Sequence, residues 1–152
     1  MFLTVHTSVA ALIGEQTNSI TLAFVLGFLS HVVLDAVPHG DEEFETVEPY
    51  FAKIKNYVII GLVDLIGVFS IIHVLLEKEL IFMSAPLLAA VIGSMLPDLL
   101  WGAQTITKWK ILAVLNGPLA RLHRLIKYKI SLPAGLIVQG AFLAFFVYLL
   151  TL

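Results

Sequence analysis

The chain has 152 residues, of which 59% are apolar and 13% charged, with a mean hydropathy of +0.98 and a formal charge of −2. That composition excludes an ordinary soluble domain, and the length leaves room for one bundle of membrane helices of about 20 residues each, with no separate globular domain. The sequence has no cysteine, which excludes disulfides and thiolate sites, so any metal must be held by His, Asp or Glu. Nothing in the charge balance calls for a nucleic-acid partner.

Residues Phe2 to Gly14 are apolar with Thr4, His6, Thr7 and Ser8 interspersed. At about 1.5 Å per residue they cover some two-thirds of a ~30 Å hydrocarbon core, so a tilted or half-inserted helix is expected. The start has no basic n-region and Gly14-Glu15-Gln16 is a poor cleavage site, so no removable signal peptide is expected. Thr17-Asn18-Ser19 suits a turn and N-cap before a second helix over Ile20 to Val37. Asp41 to Pro49 is an acidic loop with five carboxylates and no basic residue. Tyr50 to Asn56, with Lys53 and Lys55, forms an amphipathic lead-in to a third span over Tyr57 to Leu76.

Glu77-Lys78-Glu79 is a polar turn, and Leu80 to Ala103 is a fourth span that Pro86 is placed to kink. Gln104 to Lys129 carries six Lys or Arg and no acid. Within it Asn116-Gly117-Pro118 interrupts, with Pro118 suited to the first position of a new helix. Leu115, Leu119, Leu122 and Ile126 share one side of that helix and Arg121 and Arg124 the other, the pattern of a helix lying on the membrane. Ile130 to Leu152 is a final span without a charge. The expected fold is therefore all-α: one domain over residues 1–152, an integral membrane bundle of four to five spanning helices plus a short amphipathic interfacial helix.

Ionisable residues inside these spans carry the functional reading. His31 and Asp35 are four apart and so share a helix face. Pro38 ends the helix, which leaves His39 and Asp41 in the turn just beyond it. Asp98 follows Gly93, Ser94 and Pro97, small residues that leave room beside it. Asp64 is flanked by Gly61 and Gly67, a setting that suits a functional carboxylate or one hydrogen-bonded to a neighbouring backbone.

Placing the basic segment in the cytoplasm and threading backwards puts His6, His31, Asp35, His39, Asp98 and His123 on one side, with Asp64 deeper and His73 opposite. Each buried carboxylate costs about 2.5–3.5 kcal/mol on insertion scales, and no Lys or Arg lies within the spans to offset Asp35, Asp64 and Asp98. A divalent cation would compensate them and account for the accompanying histidines.

Val5-His6-Thr7, Gly27-Phe28-Leu29-Ser30-His31 with Asp35, and Gly93-Ser94-Met95-Leu96-Pro97-Asp98 together resemble the bacterial family of small membrane-bound metal-dependent hydrolases, which is distantly similar to zinc-dependent phospholipase C. The resemblance covers the first third of the chain and the fourth span. It implies that His6, His31, Asp35 and Asp98 are metal ligands, with His39 a further candidate and zinc the expected ion. Leu99-Leu100-Trp101 stand where the family often has a second acid and a His.

The leading expectation is a multi-pass hydrolase of the bacterial cytoplasmic membrane that cleaves a phosphoester, lipid-linked or otherwise, at the cytoplasmic face. Asp98 and Asp64 are its candidate catalytic carboxylates. Arg121, His123 and Arg124 are its candidate substrate-binding residues, placed to guide an anionic head group. Two other classes compete with it: a proton- or metal-coupled transporter relaying through Asp64, Asp35 and Asp98, and a membrane protein whose metal only fixes the bundle.

Overall fold

The computed structural model describes residues 1–40, 50–123 and 130–152, and its described residues form helices without strands. The helices are α1 (Leu3–Gln16), α2 (Ile20–Asp35), α3 (Tyr50–Glu77), α4 (Ala85–Thr107), α5 (Lys110–His123) and α6 (Leu132–Leu149). Local chemistry sets several ends. Ser19 caps α2 by accepting from the Leu22 N–H, and Ser84 caps α4 by accepting from that of Leu87. Pro86 lies in the first turn of α4, where its missing N–H leaves no bond unmade, so it starts this helix instead of kinking it. The expected lead-in over Tyr50 to Asn56 is continuous with the third span. Pro118 lies inside α5, so the expected break at Asn116-Gly117-Pro118 is absent and one helix runs through.

The distribution of side chains is the reverse of a soluble domain's. His6, Thr7, Ser8, His31, Asp35, His39, Ser94 and Gln139 are buried, whereas Val33, Val63, Ile66, Phe69, Ile92 and Ile137 are exposed. Apolar outside and polar inside is what a bilayer solvent selects. Three helices are long and apolar enough to cross a membrane: Ile54–Glu77 within α3, Ala85–Thr107 and Leu132–Leu149. α2 is apolar but shorter.

The first helix packs against four others. It is the centre of the bundle, packed against α2, α3, α4 and α6, with Val5 through Ala11 all buried. A helix surrounded by other helices need not match the bilayer thickness, and its hydroxyls meet protein instead of lipid. α1 runs antiparallel to α2 and α4, with Gly14 against Leu87 and His6 against Asp35. It runs parallel to α3 and α6, since Thr4 meets Asp64 and Gly67 while Val5 and Val9 pack with Phe142 and Phe146.

Glycine sets the spacing of α2 and α4. A Cβ at Gly27 would collide with the Ala90 carbonyl, and one at Gly93 with the Phe24 carbonyl. The backbones therefore touch, as small residues allow in membrane bundles. Directly beyond this crossing, His31 on α2 comes level with Ser94 and Asp98 on α4.

Candidate metal centre

Asp35 is the hub. Its Oδ1 accepts from the Met1 α-ammonium at 2.6 Å and lies 3.0 Å from His6 Nε2 and 4.0 Å from His39 Nε2. Its Oδ2 lies 3.1 Å from His31 Nε2, and Asp98 Oδ1 is 3.6 Å from the same nitrogen. The His6 and His31 rings stack with centroids 4.0 Å apart. One ligand atom each from His6, His31 and Asp98 falls within 4.8 Å of the others, a spacing that can hold a metal ion.

The other ring nitrogens decide how these groups present themselves. A carbonyl can only accept, so His31 Nδ1 donates to the Ser94 carbonyl at 2.7 Å and His39 Nδ1 donates to the Val37 carbonyl at 2.6 Å. Each bond fixes the proton on Nδ1 and turns Nε2 toward Asp35. For His39 that Nε2 accepts from the Met1 ammonium at 2.6 Å. His31 Nε2 faces two carboxylates, where an unprotonated nitrogen is favourable with a cation placed between them. His6 differs: its Nε2 meets Asp35, while its Nδ1 is buried without a partner.

Backbone placement comes from α6 as well. Gln139 donates through Nε2 to the His39 carbonyl at 2.9 Å and accepts at Oε1 from the Phe2 N–H at 2.8 Å. Gly135 lets the chain at His39 pass directly over α6, and Gly40 turns it with φ +80°. Gln139 escaped the sequence reading because it is uncharged. The signal was there, since it is the single amide in an otherwise apolar final span.

The structure thus brings together His6, His31, Asp35, His39 and Asp98 from α1, α2, the turn after α2, and α4. Asp64 stands apart from them. Its carboxylate accepts from the backbone N–H groups of Leu3 and Thr4 and from the Thr4 hydroxyl, capping α1 from a neighbouring helix. Both of its oxygens are engaged, which is the alternative in which the carboxylate is hydrogen-bonded to a neighbouring backbone. His73 is exposed on α3. Asp41 and Arg124 lie outside the described residues, and Arg121 and His123 lie on α5 with only their backbone described. Comparison of the chain with protein-family models, with curated proteins and with solved structures finds no match.

Proposed function

We propose that the protein is a membrane-embedded metal-dependent hydrolase acting on a phosphoester, related to the small bacterial membrane-bound hydrolases that its His6, His31–Asp35 and Pro97-Asp98 segments resemble. The reading includes a bacterial cytoplasmic membrane, α2 and α1 as further elements of a four- to five-span bundle, α5 as its interfacial helix, and a cytoplasm-facing site. The observation that carries it is the set of ligand atoms from His6, His31 and Asp98 lying within 4.8 Å of one another, with the His31 Nδ1–H held by a backbone carbonyl while its Nε2 turns to Asp35. That is the arrangement that orients imidazole as a metal ligand.

Residues His6, His31 and Asp35 hold the ion in this reading, His39 joining them where the metal displaces the Met1 ammonium from its Nε2, with zinc the expected metal given nitrogen and oxygen donors and no thiolate. A divalent ion there supplies Lewis acidity to a phosphoryl oxygen and makes water a stronger acid. Asp98 is the least buried of the cluster and lies beside His31, so it takes the proton from attacking water or completes the coordination. Asp64, occupied as a helix cap, has no part in the reaction. The basic segment with Arg121, His123 and Arg124 draws an anionic group to this end of the bundle. Transport is less well supported, because the opposite half is closed by Ala10, Ala11, Leu75, Ile81 and Leu87.

The test is to purify the protein without chelator, measure bound metal, and assay phospholipid and simple phosphoester cleavage beside Asp35→Asn. Bound metal with turnover, both lost in the variant, is the expected result. Metal without turnover would assign the ion a purely structural role, and the absence of metal would refute the proposal.

A further inference from the structure

The bundle does not close equally around the centre. The Asp98 side chain is 38% exposed, whereas those of His6, His31 and Asp35 are 9% exposed or less. Near this end the antiparallel helices α3 and α4 meet through Tyr57 and Trp101, packed edge to face with centroids 5.2 Å apart. One turn further along each helix, that register sets Gly61 level with Pro97 and Asp98.

Gly61 shares a helix stripe with Asp64, Val68 and Leu75, all of which face the bundle. Among the described residues, a Cβ at Gly61 would nonetheless meet nothing within 4 Å. Gly102, one turn from Asp98, likewise has open space beside it. Gly14, Gly27, Gly93 and Gly135 are the contrast, since a Cβ on any of them would strike backbone. Two kinds of glycine are therefore present. One kind closes helix seams; the other, which includes Gly117 and Gly140, has open space beside it, and Gly61 and Gly102 place that space at the level of Asp98. The gap is framed on one side by Tyr57 and Trp101 and on the other by Asp64 with the first turn of α1, a height of about 10 Å at 1.5 Å per residue.

We propose that this opening between α3 and α4 is a lateral binding cleft for an acyl chain of a bilayer lipid, which brings the polar end of that lipid to the His31–Asp98 centre. The second clause rests on the proposed hydrolase; the cleft itself does not. Three features select a lipid chain. Val58, Leu62, Leu99 and Ile106 are exposed apolar residues that continue the lipid-facing surface to the edges of the gap. Gly61 lies about 10 Å inside the apolar span that begins at Ile54, and Asp98 about 13 Å from the end of α4, depths that belong to the hydrocarbon region. The near edge carries a Tyr and a Trp, the residues that sit where chains give way to head groups.

The absence of cysteine makes the test direct. Spin labels at Gly61→Cys and Gly102→Cys in liposomes, with Val63→Cys as a lipid-facing reference and Val68→Cys as a buried one, are probed with oxygen and with a water-soluble nickel chelate. Oxygen collision rates at 61 and 102 near those of Val63→Cys, and several-fold above Val68→Cys, are expected, with little effect of the chelate. Rates like those of Val68→Cys with both reagents would overturn the proposal, as would preferential collision with the chelate, which would make the cleft aqueous.

A second measurement leaves both glycines intact. In Trp109→Phe, phospholipids with brominated chains should quench Trp101, and Gly102→Leu should reduce that quenching severalfold; quenching unchanged by Gly102→Leu would contradict the cleft. Neither readout needs metal or turnover. A lipid-accessible cleft in a protein that cleaves no phosphoester would refute the hydrolase alone, and turnover with an inaccessible cleft would refute the cleft alone.

Discussion

The same helices build two different interiors. In the half of the bundle around Leu75, Ile81 and Leu87, the contacts are small and apolar: Ala10, Ala11, Ala23 and Ala90 are fully buried and Gly14 lets α1 press on α4. In the other half His6, His31, Asp35, His39, Ser94 and Gln139 are buried, and α1, α2, α3, α4 and α6 all contribute polar atoms. The first half is held by close packing, where hydrocarbon outside offers no hydrophobic drive and fit must supply the stability. The second is held by charge and hydrogen bonds, which are strong in a dry interior only while each group keeps its partners. Substitutions in the first half should therefore affect stability without touching the chemistry of the second.

Asp35→Ala should have the largest effect. It removes the carboxylate shared by His6, His31, His39 and Met1, and metal affinity should fall by more than about 100-fold, beyond what loss of a supporting hydrogen bond costs; equilibrium metal titration checks this. Gly27→Leu tests the other half of the comparison, since a side chain there must push α2 away from the Ala90 carbonyl. It should cost about 1–3 kcal/mol in detergent unfolding by overpacking, whereas Gly102→Ala should cost nothing measurable.

Gln139→Leu should cost about 1–3 kcal/mol in unfolding and weaken metal binding by about tenfold, because the His39 carbonyl and the Phe2 N–H lose their common partner. Asp64→Ala removes a cap and should cost about 0.5–2 kcal/mol with metal retained. Loss of metal in that variant would return Asp64 to the centre. Ser94→Ala should be the smallest, since His31 uses the backbone carbonyl of that residue and not its hydroxyl.

How far these interiors are legible in the sequence depends on whether a feature is local. The His31–Asp35 pair is a matter of helical spacing, and the long apolar helices follow from hydropathy; both could be read directly. α1 could not, because hydropathy presumes that a short, hydroxyl-bearing helix meets lipid or water, whereas here it meets only other helices. The cap that Asp64 places on Leu3 and Thr4 joins residues some 60 apart, and no local pattern announces it. Asn116-Gly117-Pro118 suggests a break with Pro118 starting a new helix, yet α5 continues through it while Asn116 donates to the Leu100 carbonyl and the Gln104 side chain of α4. Tertiary hydrogen bonds of this kind override a local preference.

The central claim is that His6 and His31 present Nε2, with Asp35, to a shared cation. X-ray absorption at the edge of the metal carried by the purified protein tests it most directly. The account predicts imidazole nitrogens at about 2.0–2.1 Å if the ion is zinc, with that signal lost in Asp35→Asn. A metal shell without imidazole, or one unaltered by Asp35→Asn, would contradict it.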